Sequence, residues 1–251
     1  MTTSFNNFVG VIDSGVGGLT ILQQLQRDFP RCNFVYLADS AYCPYGTKQP
    51  QDIFIRVQAL IQFLQDVGAQ AVVIACNTAS VYADTLKSQF DLPIYDVITA
   101  TCKRVVDVTV SKRVALLATV ATVNSQAYQR QLNTCGISVA PFACSDFVPF
   151  VEANKVETPE CSAAVDRALS NLSQHNVDAV ILGCTHFPIL RAQIAPHTRG
   201  TTIVECCTNF QPANGNSLEA GKTVFLTTGY VYQANNAAKW FGDVDFKHIQ
   251  I

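Results

Sequence analysis

The sequence predicts an α/β fold of two pseudo-symmetric domains, each a mostly parallel sheet flanked by helices, with the active site in the cleft between them. Three observations carry this. Short apolar runs alternate with helical patterns along most of the 251 residues, the order that builds parallel sheets with right-handed crossovers. The runs are rich in β-branched residues and only strand-sized. Two segments recur at nearly one offset.

Taken in order, strands are expected at 9–12, 34–38, 71–75 and 94–97, then at 114–118, 137–141, 179–182, 202–204 and 224–226. Between the first and second, Leu19, Leu22 and Leu25 mark a helix face. Between the second and third, Ile53, Val57, Leu60, Ile61 and Leu64 fall on one face at helical spacing. The segment VGVIDSGVGGLT from Val9 echoes VALLATVATVNS from Val114, and AVVIACNTA from Ala71 echoes AVILGCTHF from Ala179. The separations, about 105 and 108 residues, nearly agree, as a duplication requires. The expected domains are 1–98 with 210–251, and 99–209.

Apolar residues make up 49% of the chain and charged residues 14%, which fits a packed globular enzyme and excludes a disordered chain. A net charge of -2 provides no electrostatic footprint for nucleic acid or an anionic membrane. No apolar run approaches a membrane span, and the start of the chain lacks a basic-then-apolar signal segment. A cytoplasmic location is expected. The ten cysteines contain no Cys-x-x-Cys pair, so neither a zinc ribbon nor a thioredoxin-type motif is expected, and most should pack as small apolar groups. No metal site follows.

Cys76 and Cys184 are different. Each closes a predicted parallel strand, the place where ligands bind in such sheets. Facing domains would put the two thiols on opposite sides of one cleft. A stereoinversion needs that arrangement, with one thiolate removing a Cα proton and the opposite thiol returning one. A thiol titrates at about 8.5 unless assisted. Helices starting after each strand, and the hydroxyls of Thr78 and Thr185, are the expected assistance. Asp13 and His186 are candidate proton partners, on the Cys76 and Cys184 sides respectively; Asp13 is alternatively a cap for the turn that follows, and His186 a structural strand-end histidine. The turn Gly15-Val16-Gly17-Gly18 lacks the third glycine of a dinucleotide site and the lysine of a P-loop. With Ser14 it suits a carboxylate instead. Tyr45 and Gly46 lie in a second tight turn, CPYG.

These segments together resemble the glutamate racemase family: GVIDSGVGGLT (10–20), CPYG (43–46), IACNTA (74–79), FACSDFVPFVE (142–152), LGCTHFP (182–188) and TTG (227–229). The resemblance runs from residue 9 to about 229. It implies interconversion of L- and D-glutamate without cofactor or metal, the D form feeding bacterial cell-wall synthesis. Cys76 and Cys184 would be the two acid/bases, the first deprotonating D-glutamate and the second L-glutamate. Asp13, Glu152 and His186 would assist; Glu152 is proposed only by the resemblance. Substrate contacts would be Asp13, Ser14, Tyr45, Gly46, Asn77, Thr78, Thr185 and His186, with Thr119 and Thr122 as further candidates. A homodimer is also implied.

One region departs from the family pattern. After 202–204 a small polar turn is usual, whereas Glu205-Cys-Cys-Thr-Asn-Phe210 stands here, followed by polar Asn214-Gly-Asn-Ser. The short stretch before the first strand argues against an N-terminal activation segment. Competing readings are an aspartate racemase, which His186 disfavours, a cysteine hydrolase using Cys76 and His186, which leaves Cys184 without a role, and a binding protein, which has no use for two strand-end thiols.

Overall fold

The computed structural model describes residues 7–212 and 220–251; the polar run 214–217 lies outside them. It contains two sheets. The larger is built from β1 (Phe8–Asp13), β2 (Asn33–Ala38), β3 (Ala69–Ile74) and β4 (Ile94–Asp96), joined by β9 (Thr223–Thr227) and β10 (Phe246–His248). The smaller holds β5 (Arg113–Ala118), β6 (Ser138–Ala143), β7 (Ala179–Gly183) and β8 (Thr202–Glu205). All pairings are parallel. The larger sheet runs β10-β9-β2-β1-β3-β4 and the smaller β6-β5-β7-β8. The smaller order therefore repeats the run β2-β1-β3-β4 of the larger, the first four strands in the chain, so β1 corresponds to β5 and β3 to β7.

Parallel strands covered on both faces must be apolar on both, and β1 and β7 are buried along their whole length. Successive side chains alternate between faces. Val9 and Val11 pack with Leu22 and Leu25 of α1 (Leu19–Asp28), whereas Phe8 and Ile12 pack with Leu60 and Leu64 of α2 (Pro50–Asp66). In the smaller sheet Leu117 and Leu182 face one core while Leu116 and Ile181 face the other. Asp96 caps α5 (Val97–Val108) by accepting from the Thr99 amide at 2.8 Å, and this helix runs unbroken through residues 98–100.

Sequence periodicity missed β10, whose three residues include only one buried side chain, Phe246. It also placed the sixth strand one residue early at its start and two at its end. The helices expected after the two cysteines are short. Cys76 is followed by α3 (Asn77–Ser80), with α4 (Ala83–Lys87) beyond it. Cys184 is followed by a 3₁₀ turn (Phe187–Leu190) and then a single helical turn (Arg191–Ile194). Among the described residues no helix is long and apolar enough to cross a membrane.

Candidate active site

Asp13 ends β1 and carries its carboxylate into the junction between the sheets. Oδ1 accepts from the Gly15 amide at 2.9 Å, and Oδ2 accepts from the Thr185 hydroxyl at 3.1 Å. Asp13 thus shapes the glycine turn and also reaches the loop after β7. It does not cap α1, whose N-cap is Gly18. The glycines serve close approach here. A Cβ on Gly17 would stand 2.5 Å from His186 Nδ1 and 2.6 Å from Thr185 Oγ1, and no side chain fits in that gap. The Tyr36 hydroxyl donates to the Gly15 carbonyl at 2.7 Å and holds the turn from behind. Burial raises the Asp13 pKa to about 6, against the lowering effects of His186 and the Gly15 amide.

Cys76 follows β3 as the residue preceding α3, 5% exposed. Its Sγ lies 3.8 Å from Ser14 Oγ. Burial pushes this thiol up to about 12, and the nearby charges of Asp13 and Cys184 add to the rise; hydrogen bonds from the Ala79 amide and from Ser14 oppose it. At rest Cys76 is therefore a thiol.

Cys184 follows β7, 6% exposed, with Sγ 3.7 Å from His186 Nδ1. The other imidazole nitrogen, Nε2, lies 2.6 Å from Glu152 Oε1, which also accepts from the Val16 amide at 3.1 Å. Burial alone would depress His186, but its hydrogen bonds with Cys184 and Glu152 hold it well above its ordinary value. Burial would likewise raise Glu152, yet the bond and charge of His186 lower it. The two therefore form an ion pair, Glu152 negative and His186 positive. Glu152 ends a short helix, Val148–Glu152, and its carboxylate bridges the glycine turn of the larger sheet to the histidine of the smaller one.

The remaining predicted residues gather at the same strand ends with different partners. Thr78 Oγ1 lies 2.9 Å from Thr119 Oγ1 and 3.2 Å from Thr122 Oγ1, and those two are 3.0 Å apart. Three buried hydroxyls thus converge from both sheets. The expected assistance of Thr78 and Thr185 to the thiols is not observed. Thr78 turns to the other threonines and Thr185 to Asp13, because oxygen acceptors are better partners than sulfur. Asn77 Oδ1 accepts from the Tyr128 hydroxyl at 2.7 Å and its Nδ2 donates to Cys206 Sγ at 3.1 Å. Tyr45 directs its hydroxyl to Asp39 Oδ2 at 2.6 Å, and a Cβ on the following Gly46 would lie 2.7 Å from Thr119 Cβ. A cavity of about 480 Å³ between Cys43, Pro44, Val148 and Tyr232 reaches Glu152 from outside. Sequence reasoning missed Asp39, Tyr128 and Cys206 as supports. No local motif marks them, since apart from Tyr45, six residues from Asp39, the partners of their side chains are between 17 and 189 residues away. No cluster of three or more His, Cys, Asp or Glu suited to a metal ion occurs among the described residues.

Two matching sheets with a thiol at each of two equivalent strand ends define a racemase scaffold, and the chain belongs to the Asp/Glu/Hydantoin racemase family, whose model matches residues 18–208. A glutamate racemase of Aquifex aeolicus is 36% identical over 198 residues, 78% of each chain. One of Staphylococcus carnosus is 33% identical over 254 residues, covering 98% of this chain and 92% of the relative. The crystal structure of a Bacillus anthracis glutamate racemase isoform superposes with a TM-score of 0.87 at 27% identity, over 98% of this chain and 97% of that one. The Francisella tularensis glutamate racemase in complex with D-glutamate gives 0.85 at 28% identity, covering 98% of both.

Proposed function

We propose that the protein interconverts L- and D-glutamate by two-base proton transfer at Cα, with Cys76 and Cys184 as the opposed acid/bases. The observation that carries this reading is the pair of buried thiols at equivalent strand ends, each beside its own ionisable group. The glutamate racemases among the relatives and similar structures support the choice of substrate.

In this mechanism the thiolate on one face takes the Cα proton, leaving a carbanion whose electron pair accepts a proton from the thiol on the opposite face. The protein ends one turnover with the protonation of the two sulfurs exchanged. Asp13, which titrates at about 6, draws the proton from Cys76 when D-glutamate is bound. The imidazole of His186, clamped by Glu152, exchanges a proton with Cys184 through Nδ1 for the L enantiomer. Ser14, Asn77 and the backbone of the glycine turn hold one end of the substrate. Tyr45, Gly46, Thr78 and Thr185 complete its contacts. No cofactor enters the scheme. The product D-glutamate serves peptidoglycan synthesis, the enzyme works in the cytoplasm as a homodimer, and its domains are 1–98 with 210–251, and 99–209.

The test is proton NMR of the protein with D-glutamate in D₂O. Loss of the Cα proton signal with growth of L-glutamate is expected, and each of Cys76→Ala and Cys184→Ala should fail to form L-glutamate. Near-normal turnover by either variant would refute the two-base assignment. Faster exchange of aspartate in the same assay would overturn the choice of substrate.

A further inference from the structure

We infer that the buried ion pair Asp39–Arg56 is a positioning unit that fixes the Tyr45–Gly46 turn against the second sheet and so sets substrate affinity, an inference that rests on the function proposed above. Neither residue is among those the family resemblance assigns, and neither hydrogen-bonds a thiol. What singles them out is where their bonds lead.

Asp39 is the first residue beyond β2 and is fully buried. Its amide donates to the Asp13 carbonyl at 2.9 Å, so its main chain is tied to the strand end that carries the site carboxylate. Its own carboxylate receives four donors. Oδ1 accepts from Arg56 Nη2 and from the Thr228 hydroxyl, both at 2.7 Å. Oδ2 accepts from Arg56 Nε at 2.8 Å and from the Tyr45 hydroxyl at 2.6 Å. Four donors match the usual acceptor capacity of a carboxylate. Arg56 offers its fork in the bidentate geometry that orients as well as binds. Its remaining Nη1 donates to the Ile251 carbonyl at 2.7 Å, and its guanidinium lies 4.4 Å from the centre of the Tyr42 ring.

Such a pair is a poor device for stability alone, because well-packed apolar side chains do as well or better in a core. It is a good device for direction. Three segments besides that of Asp39 converge on it: α2 through Arg56, the turn after β9 through Thr228, and the site turn through Tyr45. The turn then passes to Gly46, whose α-carbon abuts Thr119 of the smaller sheet so closely that no Cβ fits. Thr119 in turn touches Thr78 and Thr122. The line of contact from Arg56 through Asp39 and Tyr45 to Thr119 therefore runs from the outer face of one sheet to the hydroxyl cluster between the two. The alternative, a purely structural pair, predicts that loss of either hydrogen bond lowers stability and leaves KM for D-glutamate unchanged.

A double-mutant cycle in the full-length protein separates these. Tyr45→Phe removes only the hydroxyl that Asp39 accepts, and Arg56→Lys keeps the charge while losing the fork. Each is expected to raise KM for D-glutamate about tenfold with kcat within about threefold, as expected for a hydrogen bond to a charged group. The double variant should be no more than about twofold worse than the worse single variant. Should Arg56→Lys not fold, Thr228→Ala takes its place, with a KM increase of about threefold that likewise disappears in the Tyr45→Phe background. Multiplicative effects, or a fall in kcat at unchanged KM, would overturn the inference. A second readout does not depend on turnover. The Tyr45 hydroxyl proton, bound to a buried carboxylate, should give a downfield, slowly exchanging NMR signal that is absent in Tyr45→Phe and displaced in Arg56→Lys. If that signal is unmoved in Arg56→Lys, the positioning role falls even if glutamate proves to be the substrate. If it moves while wild-type protein fails to exchange glutamate, the functional reading falls and the positioning role stands.

Discussion

The surroundings of the two thiols differ more than the strands that present them. Cys76 and Cys184 end equivalent strands of matching sheets, but Cys76 has a carboxyl group near it and Cys184 an imidazole. Around Cys76 stand Asp13, Ser14 and the Ala79 amide of a true, if short, helix. Around Cys184 stand a histidine held by a carboxylate and a 3₁₀ turn in place of a helix. Duplication accounts for where the sulfurs sit. It does not account for how each gains or loses a proton, which depends on the few residues that follow each strand and on partners borrowed from the other sheet. Asp13 crosses to Thr185, and Glu152 crosses to the Val16 amide. Each thiol's support is thus partly supplied by the opposite half.

The strongest way to break this comparison is to remove one sulfur at a time. Cys76→Ala and Cys184→Ala should each lower racemisation by at least about 10²-fold. The two losses should differ in kind. Cys76→Ala is expected to retain deuterium wash-in at Cα of L-glutamate and Cys184→Ala that of D-glutamate, measured by NMR in D₂O. Identical residual behaviour of the two variants would mean that the thiols do not serve separate enantiomers. A smaller effect is expected where the halves meet. Gly17→Ala drives a methyl against His186 Nδ1 and Thr185 Oγ1, and overpacking of this kind costs about 1–3 kcal/mol. Both thermal stability and kcat/KM should fall, and a neutral outcome would mean that the turn does not hold the histidine loop in place.

Both sheets are legible from sequence because buried parallel strands leave continuous apolar runs, such as Ala71 to Ile74, that alternate with helix faces such as Ile53 to Leu64. The thiols are legible because their contexts recur. Glu152 is not. It ends a five-residue helix with no periodicity of its own, and its partners Val16 and His186 lie 136 and 34 residues away. Asp39 is in the same position, since its ligands come from residues 17 and 189 positions distant as well as from Tyr45. The glycines of 15–18 are legible as a tight turn, but not as a surface fitted to side chains of the other sheet. Local pattern records burial and turns; it does not record which distant group fills a hydrogen bond.

A pH series sharpens the Asp13 side of the comparison. Its folded pKa, about 6, stands above the ordinary 3.8, so folding favours the protonated form. The stabilising contribution is complete below about pH 4 and is lost as pH rises through about 6. By linkage the two-unit difference is worth about 3 kcal/mol. Asp13→Asn, which cannot ionise, should therefore gain stability relative to the wild type across that window and hold a constant margin above it, as urea titrations at a series of pH values will show. Activity should move the opposite way. The proposed mechanism needs Asp13 ionised to draw a proton from Cys76, so kcat/KM for D-glutamate should fall below about pH 6. A flat profile there would remove Asp13 from the proton path.

The least disruptive change tests the support behind Asn77. Cys206 follows β8 where the chain leaves the smaller sheet, and its buried thiol donates to the Leu182 carbonyl at 3.0 Å while accepting from Asn77 Nδ2 at 3.1 Å. One sulfur thus links the strand carrying Cys184 to the residue after Cys76. Serine keeps both a donor and an acceptor, so Cys206→Ser should stay within about twofold of wild type in kcat/KM. Alanine leaves a buried carbonyl and an amide without that partner, a loss of about 1–3 kcal/mol in stability. If alanine and serine behave alike in thermal unfolding, Cys206 acts through its volume and the two hydrogen bonds carry no weight. If only alanine loses stability, the hydrogen bonds tie the two thiol-bearing strand ends together, and the unusual sequence at this crossover keeps in sulfur the donor and acceptor that the position requires.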